Sequence, residues 1–158
     1  MAHRIGQALE DRGGRCTILG SKAVIGQLTG ASGIIAIAPP PPGPAADRAE
    51  AAPDHGLARW LTRFLRHVPQ VPCPPRCLCI LTRTHFGPRA GTVRSSADHR
   101  LTDLLHTNRT HCPRLRITHI DLDGATDPAT VVGDILAEAA TEEVITWRNG
   151  QRRTDRPR

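Results

Sequence analysis

The stretch that most constrains the fold is GIIAIA at 33–38, apolar, rich in β-branched side chains, opened by glycine and followed at once by four prolines. A half-exposed strand alternates apolar and polar residues. This one has no polar position to turn toward water, so it reads as a strand buried on both faces, as in a parallel sheet. Such a sheet needs helices to cover it, and the chain has to alternate the two kinds of element.

It does so. Residues 2–11 place Ile5, Ala8 and Leu9 at helical spacing and stop at Gly13 and Gly14. A brief apolar run at 16–19 reads as a strand and 22–28 as a short helix. After GIIAIA, residues 39–54 (PPPPGPAADRAEAAPD) offer nothing to pack and read as a flexible loop. The strongest periodicity follows at 55–68, where Leu57, Trp60, Leu61, Phe64, Leu65 and Val68 fall on one broad helix face. Pro69 and Pro72 end it, and 76–81 (RCLCIL) is the next strand. Leu101, Leu104 and Leu105 point to a helix over 97–108. Residues 115–122 (LRITHIDL) read as a strand that exchanges its apolar face partway. Asp127-Pro128 is a helix cap with proline in the first turn, ahead of Val131, Val132, Ile135, Leu136 and Ala139. A last strand is expected at 143–147 and a turn at Asn149-Gly150, leaving 151–158 as a basic, solvated or frayed tail. The expected fold class is α/β, a Rossmann-like open and mostly parallel sheet of about five strands flanked by helices. No internal repeat is present.

At 158 residues the chain has room for one domain. No apolar run approaches the roughly 20 residues of a membrane span. Twenty-one Lys and Arg against 15 Asp and Glu leave +6, yet only one of those bases is lysine, Lys22. A surplus of Arg with much Ala, Gly and Pro reads as the codon bias of a GC-rich genome, which explains the basicity without a nucleic-acid partner. With no Tyr, two Phe and two Trp, mechanisms that need a Tyr acid or aromatic stacking platforms are excluded or crippled. An odd five Cys and a start, MAHRIGQALEDRGG, without the apolar core of a secretory signal lead to the expectation of a reduced, cytoplasmic protein.

Further segments carry a likeness. GIIAIA with its Pro/Ala-rich loop is followed by GLARWLTRFLR, PPRCLCILTRT, HCPRLRITHIDLDG, DPATVVGDILAE and finally the run through Arg148-Asn149-Gly150 to Arg153. In that order they resemble the structural subdomain of the ketoreductase region of modular type I polyketide synthases. That family shows a strand ending in TR, a turn with His-Pro and Leu, an IDLD strand, a DP-A helix and a closing strand with Arg-x-Gly-x-Arg. The likeness spans about residues 8–153, and residues 1–150 are read as one such subdomain. It departs at 97–111, where the family often has Trp-Gly-Leu-Gly and this chain has ADHRLTDLLHTNRTH. The strand that usually precedes the first helix and the catalytic half that usually follows the last strand are both absent from the sequence, as in a truncated or split piece. The resemblance implies a non-catalytic Rossmann-like support. NADPH would then be bound by the partner catalytic half and no cofactor by this chain; the partners would be that half or other synthase domains.

The residues agree with such a role. A dinucleotide site needs a glycine-rich turn after a strand, so that backbone N–H groups reach the pyrophosphate. Gly26, Gly30 and Gly33, with TGAS between them, come before the strand instead. Cys73, Cys77 and Cys79 form a C-x3-C-x-C cluster, with His67 upstream and His111-Cys112 downstream; thiolates and imidazole suit zinc, but on a strand Cys77 and Cys79 share one face and read as small core residues. Asp121-Leu-Asp123-Gly124 resembles the start of a calcium loop without its later acidic ligands, and reads as strand-end carboxylates before a turn. Asn108-Arg109-Thr110 matches a glycosylation sequon that has no meaning in a cytoplasmic chain. No catalytic, cofactor-binding or metal-ligating residue is therefore assigned. The second reading is a free-standing small basic α/β protein that binds an acidic partner.

Overall fold

The computed structural model of the chain describes residues 1–20, 25–38, 53–83, 112, 114–137 and 144–155. The prolines and most of the loop at 39–54, the helix expected at 97–108, the departure at 97–111 and the sequon lie outside them.

Five strands form one open sheet in the order β1-β2-β3-β4-β5: β1 Gly33–Ile37, β2 Cys77–Arg83, β3 Arg116–Leu122, β4 Val144–Arg148 and β5 Gln151–Asp155. The first four run parallel and β5 is antiparallel to β4. The sheet is α/β and mostly parallel, as GIIAIA and the alternation of elements require. Among the described residues three helices accompany it, α1 Ala2–Glu10, α2 Pro53–His67 and the short α3 Val132–Leu136. Among the described residues no helix is long and apolar enough to cross a membrane.

Strands β1, β2 and β3 send alternate side chains to two apolar layers, and β4 adds to one of them. Under α2, Leu61, Phe64 and Val68 pack on Ala36, Leu78, Ile80 and Ile117, with Ile34 and Leu65 at the margin. Trp60 and Phe64, one helical turn apart, stack with ring centroids 5.1 Å apart. On the opposite face Ile5 and Ala8 of α1, with Val131 and Val132 around the start of α3, pack on Cys79, Leu81, Ile120, Leu122 and Ile145. Over 60–68 the apolar stripe does what its spacing predicts; the β-branched run packs against both layers as expected, but as the outer strand it is only half-buried apart from Ala36.

Helices cover both faces, yet the strand order advances in one direction without reversing. The β1-α2-β2 and β3-α3-β4 crossovers therefore have opposite hands, one of them the uncommon left-handed form. A doubly wound sheet covers both faces by reversing its strand order, and ligands bind at that reversal. Among the described strands this sheet has no such point.

Two expectations change places. The run at 16–19 is no strand: it follows α1, with Ile18 and Leu19 47% and 36% exposed, and Cys16 Sγ and the end of Ile18 lie close to Gly6. Four residues bounded by glycine were too few to earn a place in the ladder. Residues 151–155 of the basic tail are not frayed; they are the edge strand β5, exposed over 151–154 as expected. Asn149 at φ 52° and Gly150 at φ 71° form the two-residue, doubly left-handed turn whose twist suits a hairpin. Arg152 and Arg153 then place charge on an edge, which disfavours pairing with other chains.

Of the helix expected at 22–28, Ile25–Leu28 form a 310 turn and 22–24 lie outside the described residues; the Asp127 cap is followed by a 310 turn, Pro128–Val131, that leads into α3. Asp127 Oδ1 accepts from Ala129 N at 2.9 Å, and Oδ2 pairs with Arg4 of α1 at 2.9 Å. Gly33 opens β1 where a side chain could not fit, because a Cβ there would run into Cys77 Sγ across the parallel pair.

Phe64 is fully buried between α2 and the sheet. Truncation to alanine leaves a cavity that a closely packed layer fills poorly, so Phe64→Ala is expected to lower the unfolding free energy by about 3–5 kcal/mol, read from urea unfolding curves with unchanged m-value.

Candidate functional site

The face exchange in β3 creates the principal polar cluster. Up to Ile117 the α2 side of the strand is apolar; His119 and Asp121 then occupy the next inward positions, each only 7% exposed. Parallel register sets Thr82 of β2 opposite Asp121 and Ile80 opposite His119. Arg148, last residue of β4, reaches the same place from the other side. Three strands thus contribute to one cluster near their C-terminal ends.

Its proton arrangement follows from counting. Thr82 Oγ1 lies 2.8 Å from Asp121 Oδ1 and 2.8 Å from His119 Nε2. A hydroxyl carries one hydrogen and an ionised carboxylate only accepts. Thr82 therefore donates to Asp121 and accepts from His119, which places a proton on His119 Nε2. The other carboxylate oxygen of Asp121 takes an ion pair from Arg148 NH2, while Arg148 NH1 donates to the carbonyl oxygens of Asp121 at 3.1 Å and Trp147 at 2.9 Å. The guanidinium thus clamps side chain and backbone of β3 together.

A second carboxylate holds the adjoining turn. Asp123 Oδ1 accepts from the Thr126 hydroxyl at 2.6 Å, Thr126 N at 2.7 Å and Ala125 N at 3.2 Å, and Oδ2 accepts from Asn149 N at 2.5 Å. These donors favour the charged form and hold the Asp123 carboxyl below the usual carboxylate range, the Thr126 hydroxyl first and the Asn149 N–H next. Arg83, at the end of β2, donates to the carbonyl of Gly124 at 3.2 Å. Asp134 of α3 takes Trp147 Nε1 at 2.8 Å and Arg152 Nε at 2.6 Å, which seats that helix on β4 and β5.

The residues singled out in the sequence fall into place around this. Asp121 and Asp123 are strand-end carboxylates before a turn. Gly26 and Gly30 precede β1, and Gly33 is its first residue. Cys77 and Cys79 point to one side of β2; Cys79 is in the core and Cys77 half-buried, its Sγ near the Ser32 carbonyl. Burial, then the neighbouring Cys77 and Asp134, push the Cys79 thiol up to about 12. Cys112 is buried and donates to the Leu65 carbonyl at 3.5 Å, and burial raises its thiol too. Cys73 is exposed and lies outside the strand. Among the described residues no group of three Cys, His, Asp or Glu is placed to hold a metal ion.

The Thr82, His119, Asp121 and Arg148 cluster was not singled out from the sequence. Its one local signal is polar residues at inward positions of a strand, which is what the face exchange at 115–122 amounts to.

Thr82→Val keeps the shape of the side chain but withdraws one partner from each of two buried groups. It is expected to cost about 1–3 kcal/mol, measured by chemical unfolding against the wild type. Because Asp123 has its folded value depressed, its stabilisation is present above the ordinary carboxylate range and fades as pH falls through that depressed value. Asp123→Asn is expected to flatten the acid limb of a thermal-midpoint profile between about pH 2 and pH 7.

No family model, curated protein or solved structure matches the chain; what stands on its own coordinates is an α/β domain built on a five-stranded, mostly parallel sheet.

Proposed function

We propose that the chain is a non-catalytic structural subdomain that supports the catalytic half of a polyketide synthase ketoreductase. One observation carries the reading. The segments behind the resemblance run from Gly33 to Arg153 in sequence, and polar residues of those from Thr82 onward lie at the C-terminal edge of the sheet, where they are engaged with neighbouring elements. Thr82 and Arg83 of the TR pair, Asp121 and Asp123 of IDLD, Asp127 of DPAT, and Arg148 and Asn149 before Gly150 all bond to neighbouring strands, turns or helices. Groups spent in this way fix strand ends; they suit a support. NADPH and the proton donor belong, on this reading, to the partner half. The outer edge of β1, which pairs with no strand among the described residues, is where a partner would continue the sheet.

The test uses a ketoreductase catalytic half expressed without its own structural half. Alone, the present chain is expected to give no NADPH oxidation with a β-ketoacyl thioester. Added in trans, it is expected to raise the thermal midpoint and the turnover of that half. Reduction by the chain alone, or no effect on the catalytic half at saturating concentration, would sink the proposal. The second reading, a small basic binding protein, is favoured by an arginine-lined cleft at the other end of the sheet.

A further inference from the structure

That cleft, about 720 Å³ in volume, is lined by Cys73, Pro74, Pro75, Arg76, Arg114 and Arg116. It lies at the N-terminal edge of β2 and β3, far along the strands from Thr82 and Asp121. We propose that it binds a small ligand carrying a diphosphate or two neighbouring phosphoryl groups.

Arg76, Arg114 and Arg116 are exposed but rooted in fixed backbone. Arg76 N donates to the Ser32 carbonyl at 3.0 Å, and Arg116 N donates to the Arg76 carbonyl at 2.9 Å, so these two residues are tied into the ladder. Arg114 stands one turn earlier, held by the Leu115 N to Cys112 carbonyl bond at 3.0 Å. Pro74 and buried Pro75 stiffen the wall between them, and Cys73 takes the left-handed conformation at φ 54°. Little further ordering of this backbone is needed on binding.

Among the described residues none of the three side chains makes an ion pair, whereas Arg4, Arg148 and Arg152 each have an aspartate. Three like charges around one cleft repel, and an anion relieves that. Guanidinium forks match phosphoryl oxygens two at a time. A diphosphate supplies charge comparable to the three arginines, which a single carboxylate does not. The volume admits it with part of an attached group. Among the described residues the lining holds no aromatic side chain on which bases could stack, which disfavours a nucleic-acid strand.

The full-length chain is titrated with inorganic pyrophosphate at low ionic strength, by calorimetry and by amide and arginine Nε chemical shifts. One saturable site is expected, with shifts concentrated at 73–76 and 114–116 and orthophosphate binding more weakly. Arg76→Ala and Arg114→Ala are each expected to weaken binding roughly tenfold, the loss typical of a charge-assisted contact. Arg153→Ala, on exposed β5, should leave it unchanged. Absence of saturation, shifts spread equally over Arg152 and Arg153, or tighter binding of a short single-stranded oligonucleotide that extends to β5 would each overturn the assignment. The wild-type shift map decides it even where a variant fails to fold.

Discussion

Asp121 occupies the position where the apolar layer under α2 gives way and β2, β3 and β4 still have to be held side by side. Its two oxygens go to two strands, Thr82 on β2 and Arg148 on β4, and the same guanidinium holds its carbonyl. Register is what this arrangement protects. A slip of β3 by one residue would turn Asp121 and His119 into the layer of Leu81, Ile145 and Val131, and turn Ile120 and Leu122 out of it. Apolar contacts alone tolerate such a shift better than a carboxylate that must find both of its partners. Ion pairs with little exposure add little net stability because desolvation offsets attraction. The value of the Asp121 cluster lies in specifying one pairing among several.

The topology makes that specification necessary. Parallel strands receive no tight turn to set their register, and β1 to β4 are joined by long connections. Between β4 and β5 the Asn149-Gly150 turn does the work locally. Elsewhere register rests on side chains: Gly33 against Cys77 at one end of the β1-β2 pair, the Asp121 cluster across three strands at the other, and the Asp123 turn that joins the end of β3 to Asn149. The same connections place α2 and α3 on opposite faces without a reversal of strand order. The dinucleotide crevice of a doubly wound sheet arises from such a reversal, so its location cannot be transferred to this one.

How much of this was legible in the sequence depends on where the determining energy lies. The α2 stripe and the β1 run were legible because burial of Leu61, Phe64, Ile34 and Ala36 is written in hydrophobic spacing. Strand β5 was not, because QRRTD has no apolar alternation; backbone pairing and the hairpin turn hold it. The run at 16–19 misled for the opposite reason, being mostly apolar without a strand to pair with, and α1 offered Cys16 and Ile18 another surface. The cluster was hidden because Thr82 and His119 stand 37 positions apart, and Asp121 and Arg148 27. Only the change of face within LRITHIDL pointed there, and it gave one of the three strands involved.

Charge is divided along the strands in a way that composition does not reveal. At the C-terminal edge Asp121 and Asp123, and beside it Asp127 and Asp134, are bonded to donors from strands, turns or helices. At the N-terminal edge Arg76, Arg114 and Arg116 surround a cleft without a carboxylate partner among the described residues. A formal excess of six positive charges could be spread evenly and mean only solubility. Here part of it is concentrated where the backbone is fixed and proline-walled, while Asp121, Asp123, Asp127 and Asp134 are engaged elsewhere in holding the fold. Among the described residues the cleft has Pro74, Pro75 and Cys73 beside its arginines and no acidic side chain in its lining, so within that set the compensating charge is left to a ligand or to dissolved ions.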